Sequence, residues 1–268
     1  MVFCANGIAG AGTFAAGVVG YDAGSTAAAG YTTATAALGD FSSVTGVGTD
    51  WEATVTAFNG PWQTDQIVSI GEGGALTLEL SRYAVAGSGA ELGVFSNTSL
   101  VDADWPNGQN SNPAQTTSAG AALVEVSADG QSWAALNGGS PVTFNLPSNY
   151  YTDIVDSPSS TLAGSVPADS GKPFIGSLSD FDGANWTQTQ AVLDGSAGGT
   201  WLDISATGLS QIGYVRFSVA DDGDDLTSLN FELDAVSVAN DAVGSPVPEP
   251  ATMGLLAMGG VALLRRRR

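Results

Sequence analysis

Residues 229–238 read LNFELDAVSV, and the alternation within them decides the fold. Leu229, Phe231, Leu233 and Ala235 occupy odd positions between Asn230, Glu232 and Asp234, the period of a strand with one buried face. The last apolar pair, Val236 and Val238, falls on even positions. A one-residue slip turns side chains to the opposite face, so a bulge is expected near Ala235. The same alternation recurs where Leu76, Leu78 and Leu80 are separated by Thr77 and Glu79, and where Val124 and Val126 are separated by Glu125. It recurs again in Val215, Phe217 and Val219 between Tyr214, Arg216 and Ser218. Residues 18–21, 67–70, 91–95 and 201–204 supply further strand candidates, and no long stretch keeps a helical period. About nine strands in one stretch of this length predict an all-β chain with a single antiparallel β-sandwich over residues 17–240. Residues 96–119 and 147–194, rich in Asn, Pro, Ser, Gly and Asp, read as long loops, and 241–246 as a linker.

Charge and residue types narrow the chemistry. Seven basic residues stand against 27 acidic ones, and four of the seven are the terminal arginines, which leaves only Arg82, Lys172 and Arg216 in the body. Such a body repels phosphate backbones and anionic lipid, so nucleic acid is excluded as a partner and cations are favoured. There is one cysteine, Cys4, and no histidine. An intramolecular disulfide, a Cys/His zinc site and any histidine-dependent nucleophile are therefore excluded within this chain.

The last residues carry a different message. Val247, Pro248, Glu249 and Pro250 precede an uncharged apolar run, 251–264, which stops at Arg265, Arg266, Arg267 and Arg268. As a helix the run would span about 21 Å against a hydrocarbon core of about 30 Å, short for a permanent anchor. Arginines resist crossing a bilayer, which puts the body on the extracytoplasmic side when the run inserts. Motif, run and arginine cluster resemble the PEP-CTERM sorting signal of Gram-negative bacteria. The resemblance implies an exosortase and the export machinery as partners, transient inner-membrane insertion through a C-terminal sorting helix, and delivery to the cell surface or extracellular matrix. Such a signal also needs an export signal at the other end, and residues 1–16 are expected to be its remnant or an atypical version of it.

The body has a resemblance of its own. Tyr21-Asp22-Ala23-Gly24, Ala36-Ala37-Leu38-Gly39, the stretch Val124-Glu125-Val126-Ser127-Ala128-Asp129-Gly130-Gln131-Ser132-Trp133 and Phe231–Val236 are similar to bacterial surface proteins with a discoidin-like, carbohydrate-binding jelly roll. The middle stretch reads as a hairpin turning at Asp129-Gly130. The resemblance implies a jelly-roll-like sandwich. It also implies a structural calcium between first and last strands, held here by Asp22 and Asp234.

Three further groups could carry chemistry. Asp221, Asp222, Asp224 and Asp225 surround Gly223 after a strand, a composition that calcium can use but that suits a solvated acidic turn better. Asp102 and Asp104 begin like a calcium loop, but it is one residue too long and lacks an acidic twelfth position. Trp51, Trp62 and Trp105 lie in loop-like sequence, where an exposed indole can stack on a sugar ring. Asp104, Trp105 and Asn107, with Gln109 nearby, form the best such group, while Trp133 and Trp201 are expected in the core. With no catalytic residues singled out, the sequence points to a non-catalytic exported surface protein, structural, adhesive or weakly glycan-binding, with exopolysaccharide as a candidate partner. The alternative is a carboxylate-dependent glycoside hydrolase or lyase using a pair such as Asp102 and Glu125.

Overall fold

The computed structural model describes residues 13–221 and 230–247. In chain order the strands are β1 (Thr13–Asp22), β2 (Val44–Thr45), β3 (Ala53–Thr54), β4 (Val68–Gly71), β5 (Ala75–Val85), β6 (Leu92–Ser96), β7 (Ser99–Leu100) and β8 (Thr116–Thr117). They continue with β9 (Gly120–Ser127), β10 (Ala134–Ala135), β11 (Val142–Phe144), β12 (Thr200–Leu202), β13 (Gln211–Ser218), β14 (Asn230–Val238) and β15 (Val243–Pro246). Among the described residues one α-helix, α1 (Trp186–Leu193), interrupts them.

The main path runs β10-β9-β13-β5-β1-β14-β6-β12, antiparallel at every step. β1 joins its two halves. Thr13 and Phe14 pair with Val238 and Ser237 of β14, whereas Ala15 to Asp22 pair with Leu80 to Ala75 of β5, with a register shift between Ala15 and Gly17. The halves fold over each other. Phe231 of β14 lies 5.5 Å from Phe217 of β13, centroid to centroid, and Phe144 of β11 stacks on Phe231 at 4.4 Å. Leu76, Leu78, Leu80, Val124, Val126, Val215 and Phe217, the alternating apolar set, are all buried between the halves. Burial of each such side chain stabilises by about 1.5–3 kcal/mol, which fixes the register of its strand.

The bulge in β14 is present, with its register against β6 shifting between Leu233 and Ala235. The hairpin at Asp129-Gly130 also forms: Asp129 Oδ1 accepts from the backbone N–H of Gln131 and Ser132 at 2.8 and 2.9 Å, and β10 returns along β9. Trp133, expected in the core, is instead half-buried outside, with the Arg216 guanidinium 4.4 Å above its ring. Arg216 is itself paired with Glu125 at 2.7 Å. Trp201 is half-buried and crosses Gly93, where a Cβ would come within 2.7 Å of the indole.

Three expectations about the connections change. Residues 13–16, expected to belong to an export-signal remnant, are the first rungs of β1, because Phe14 and Ala15 have faces to pack against. The expected linker holds β15, which pairs with β5 through Val243 and Ala84. The long connections build a second hydrophobic cluster, in which Leu100, Ile154, Phe181, Trp186 and Leu193 meet Phe58 from the β3–β4 connection. α1 sits within it, and the Trp186 indole N–H donates to the Ile154 carbonyl at 2.9 Å.

Candidate ligand-binding groove

The short hairpin of β2 and β3 pairs Val44 with Thr54 and Thr45 with Ala53, which puts Asp50, Trp51 and Glu52 at its turn. The turn is set locally. Thr49 donates through both its N–H and its hydroxyl to the Gly46 carbonyl, at 2.9 and 2.7 Å, and its hydroxyl accepts from Trp51 N–H at 3.1 Å. Gly46 has φ +71° and a Cβ there would meet the Trp51 carbonyl at 2.4 Å, so only glycine fits. Trp62 is anchored to the same hairpin, its N–H donating to Thr45 Oγ1 at 3.1 Å. Trp105 comes from another loop, organised by Asp102. That carboxylate accepts from the N–H of Asp104, Gly108 and Gln109, each at 3.0 Å, and from the Ser159 hydroxyl at 2.5 Å.

The β2–β3 turn, the β3–β4 connection and the β7–β8 connection bring Trp51, Trp62 and Trp105 around one cavity of about 540 Å³. Asp50, Glu52, Phe58, Asn59, Ser159 and Ser160 complete the wall. The indoles are 69, 40 and 58 % exposed, so each offers a free face. Large apolar surface left in water around one concavity marks a binding site more than a packing accident. Glu52 is tied down by Gly48 N–H at 3.1 Å.

Of the sequence-derived sugar group, only Trp105 lines this cavity. Asp104 and Asn107 close the turn on themselves, the Asn107 amide donating to Asp104 Oδ2 at 3.3 Å, and the Gln109 amide donates to the Gly183 carbonyl at 2.7 Å. The carboxylates considered for catalysis are engaged apart from each other, Asp102 with its four donors and Glu125 with Arg216. Asp50, Glu52, Asn59 and Ser160 are functional candidates that sequence reasoning missed. The only signal for Asp50 and Glu52 was their adjacency to Trp51, and Asn59 and Ser160 reach the cavity only through the fold.

Of the residues considered for calcium, Asp22 and Asp234 are engaged with different partners. Asp22 ends β1 opposite Ala75 and accepts from Gly24 N–H at 3.2 Å. Asp234, expected to point outward beside Glu232, is buried at 2 % exposure, because the segment carrying Ser42 covers that face of β14. There it accepts from Ser42 N–H and hydroxyl, both at 2.9 Å. Burial pushes its carboxyl up to about 7, the Ser42 hydrogen bonds opposing the shift. Asp40 is also raised by burial and accepts from the Tyr150 hydroxyl, and burial with the adjacent Asp40 pushes Tyr150 up to about 12. Asp221 is exposed; Asp222, Asp224 and Asp225 lie outside the described residues. Among the described residues no three acidic or cysteine side chains gather to hold a metal ion.

Comparison with known proteins decides the tail. Residues 246–268 match the family model of the PEP-CTERM protein-sorting motif. Val247, Pro248, Glu249, Pro250 and the four arginines fall inside that match, which implies export and exosortase-dependent sorting to the surface. Its first residue, Pro246, ends β15, and Val247 is already buried with its N–H on the Ser81 carbonyl at 3.2 Å. The expected sorting helix at 251–264 lies outside the described residues, among which no helix is long and apolar enough to cross a membrane. No curated protein is significantly similar to the chain.

Proposed function

We propose that the chain is a non-catalytic surface or extracellular-matrix protein whose sandwich binds a glycan weakly, after exosortase processing and transient insertion of its apolar run in the inner membrane. The observation that carries this reading is the convergence of three exposed tryptophans from three separate connections on one open cavity. A sugar ring presents a flat C–H face that an indole covers, and rim groups such as Asn59 and Ser160 can meet its hydroxyls. The jelly-roll resemblance of the body fits the same role. A glycan-active enzyme remains the rival, and the engagement of Asp102 and Glu125 in structural contacts speaks against the pair considered for it.

Affinity electrophoresis in gels containing exopolysaccharide tests the reading. Trp51→Ala, Trp62→Ala and Trp105→Ala are each expected to weaken retention at least about tenfold, equivalent to about 1.4 kcal/mol. Trp133→Phe, outside the groove, should leave retention unchanged. Steady release of reducing ends by the purified chain would turn the assignment to the hydrolase.

A further inference from the structure

We propose that the groove selects a cationic saccharide, a polymer of hexosamines with free amino groups, over neutral or acidic glycans. This rests on the glycan-binding reading and adds the charge of the ligand.

Asp50 and Glu52 are both exposed at the cavity wall, beside Trp51, and neither forms an ion pair among the described residues. The three basic residues of the body are all occupied elsewhere. Arg82 donates to the Gly244 carbonyl at 2.8 Å, Lys172 pairs with Asp194 at 2.8 Å, and Arg216 pairs with Glu125 at 2.7 Å. The groove therefore has two carboxylates and no cation on its wall. A uronic acid polymer would find no counter-charge there and would approach against the field of a strongly acidic body.

An amino sugar meets the same surface with complementary features. Its C–H face covers an indole, while its ammonium gains from the carboxylates and from the negative face of a neighbouring tryptophan. A basic peptide shares the charge but lacks a rigid flat face for three indoles. The tryptophans thus favour the saccharide.

The test is titration of the full chain, in mild detergent at mildly acidic pH, followed by tryptophan fluorescence and calorimetry. The probes are a glucosamine oligomer, its N-acetylated counterpart, an oligogalacturonate and an oligolysine. The glucosamine oligomer is expected to bind at least about tenfold more tightly than the N-acetylated one. High salt, Asp50→Asn or Glu52→Gln should erase that advantage, and Trp51→Ala should weaken both. Glutamine at 52 keeps an oxygen for Gly48 N–H, so the turn is preserved. Equal, tryptophan-dependent binding of the two oligomers would overturn the charge selection and leave the glycan reading standing. Binding of neither would bring down both. Oligolysine binding as tightly as the glucosamine oligomer, and unaffected by Trp51→Ala, would overturn the saccharide assignment in favour of simple charge attraction.

Discussion

A carboxylate removed from water stays charged only if its surroundings replace the lost hydration, and at Asp234 they do so in part. Ser42 gives two hydrogen bonds, yet the side chain is buried with Asp40 near by, and its carboxyl is raised from 3.8 to about 7. A folded value above the unfolded one means that the native state holds the proton more tightly. Its contribution to stability is fully present below about pH 4 and is lost as pH rises through about 7. Asp153 works in the opposite sense, because Ser165 holds it down to about 2, so its contribution is present above about pH 4 and is lost as pH falls through about 2. Melting curves recorded between these limits should therefore show the chain losing stability from mildly acidic to neutral pH. Asp234→Asn keeps an oxygen for Ser42 N–H and removes the titration, so its melting temperature should fall less over the same range. Parallel pH profiles for the two proteins would show that Asp234 is not the group responsible. The bulge beside Asp234 was readable as a phase slip in residues 229–238. The burial of Asp234 was not, because alternation alone does not say that a distant segment, here the one carrying Ser42, covers the polar face.

At the scale of elements, legibility followed the period. Strands whose outer face is polar, such as β5, β9, β13 and β14, carry an alternation visible in sequence, and the apolar positions it marks are those buried. α1 gave no such signal, being eight residues long with only Trp186, Thr189 and Leu193 buried. Its one sequence mark is the capping box. Asn185 accepts from Gln188 N–H at 3.0 Å, and the Gln188 side chain accepts from Asn185 N–H at 2.9 Å. Asn185→Ala should cost about 1 kcal/mol of stability, read from denaturant midpoints. Because α1 seats Trp186 in the second cluster, an unchanged midpoint would mean that packing alone holds the helix. The groove was legible in a similar, partial way. Loop-like sequence around Trp51, Trp62 and Trp105 marked each as exposed, but their meeting depends on Gln66, Thr45 and Asp102 tying separate segments together, contacts that no local pattern encodes.

For the whole molecule, the notable feature is how little chain separates the folded body from the sorting signal. β15 pairs with β5, Arg82 holds the Gly244 carbonyl, and Val247 is buried. Only Pro248, Glu249 and Pro250 then precede the apolar run at Ala251, so position 251 cannot lie more than about 14 Å from Val247. An enzyme that grips the Pro-Glu-Pro motif must either work hard against the sandwich or wait for β15 to leave its place on β5. Waiting is the expected course, because β15 is paired and Val247 is buried, which leaves only three residues between the body and the apolar run. A flexible Gly/Ser insertion between Val247 and Pro248 should then speed conversion of the precursor in cells while leaving the melting temperature of the body unchanged. A disulfide between cysteines at 84 and 243, directly opposed across β5 and β15 and placed in a Cys4→Ser background, should slow conversion and recover the original rate on reduction. Conversion at the original rate with the disulfide closed would show that the enzyme takes the motif with β15 in place, and that the edge of the sheet is part of what it meets.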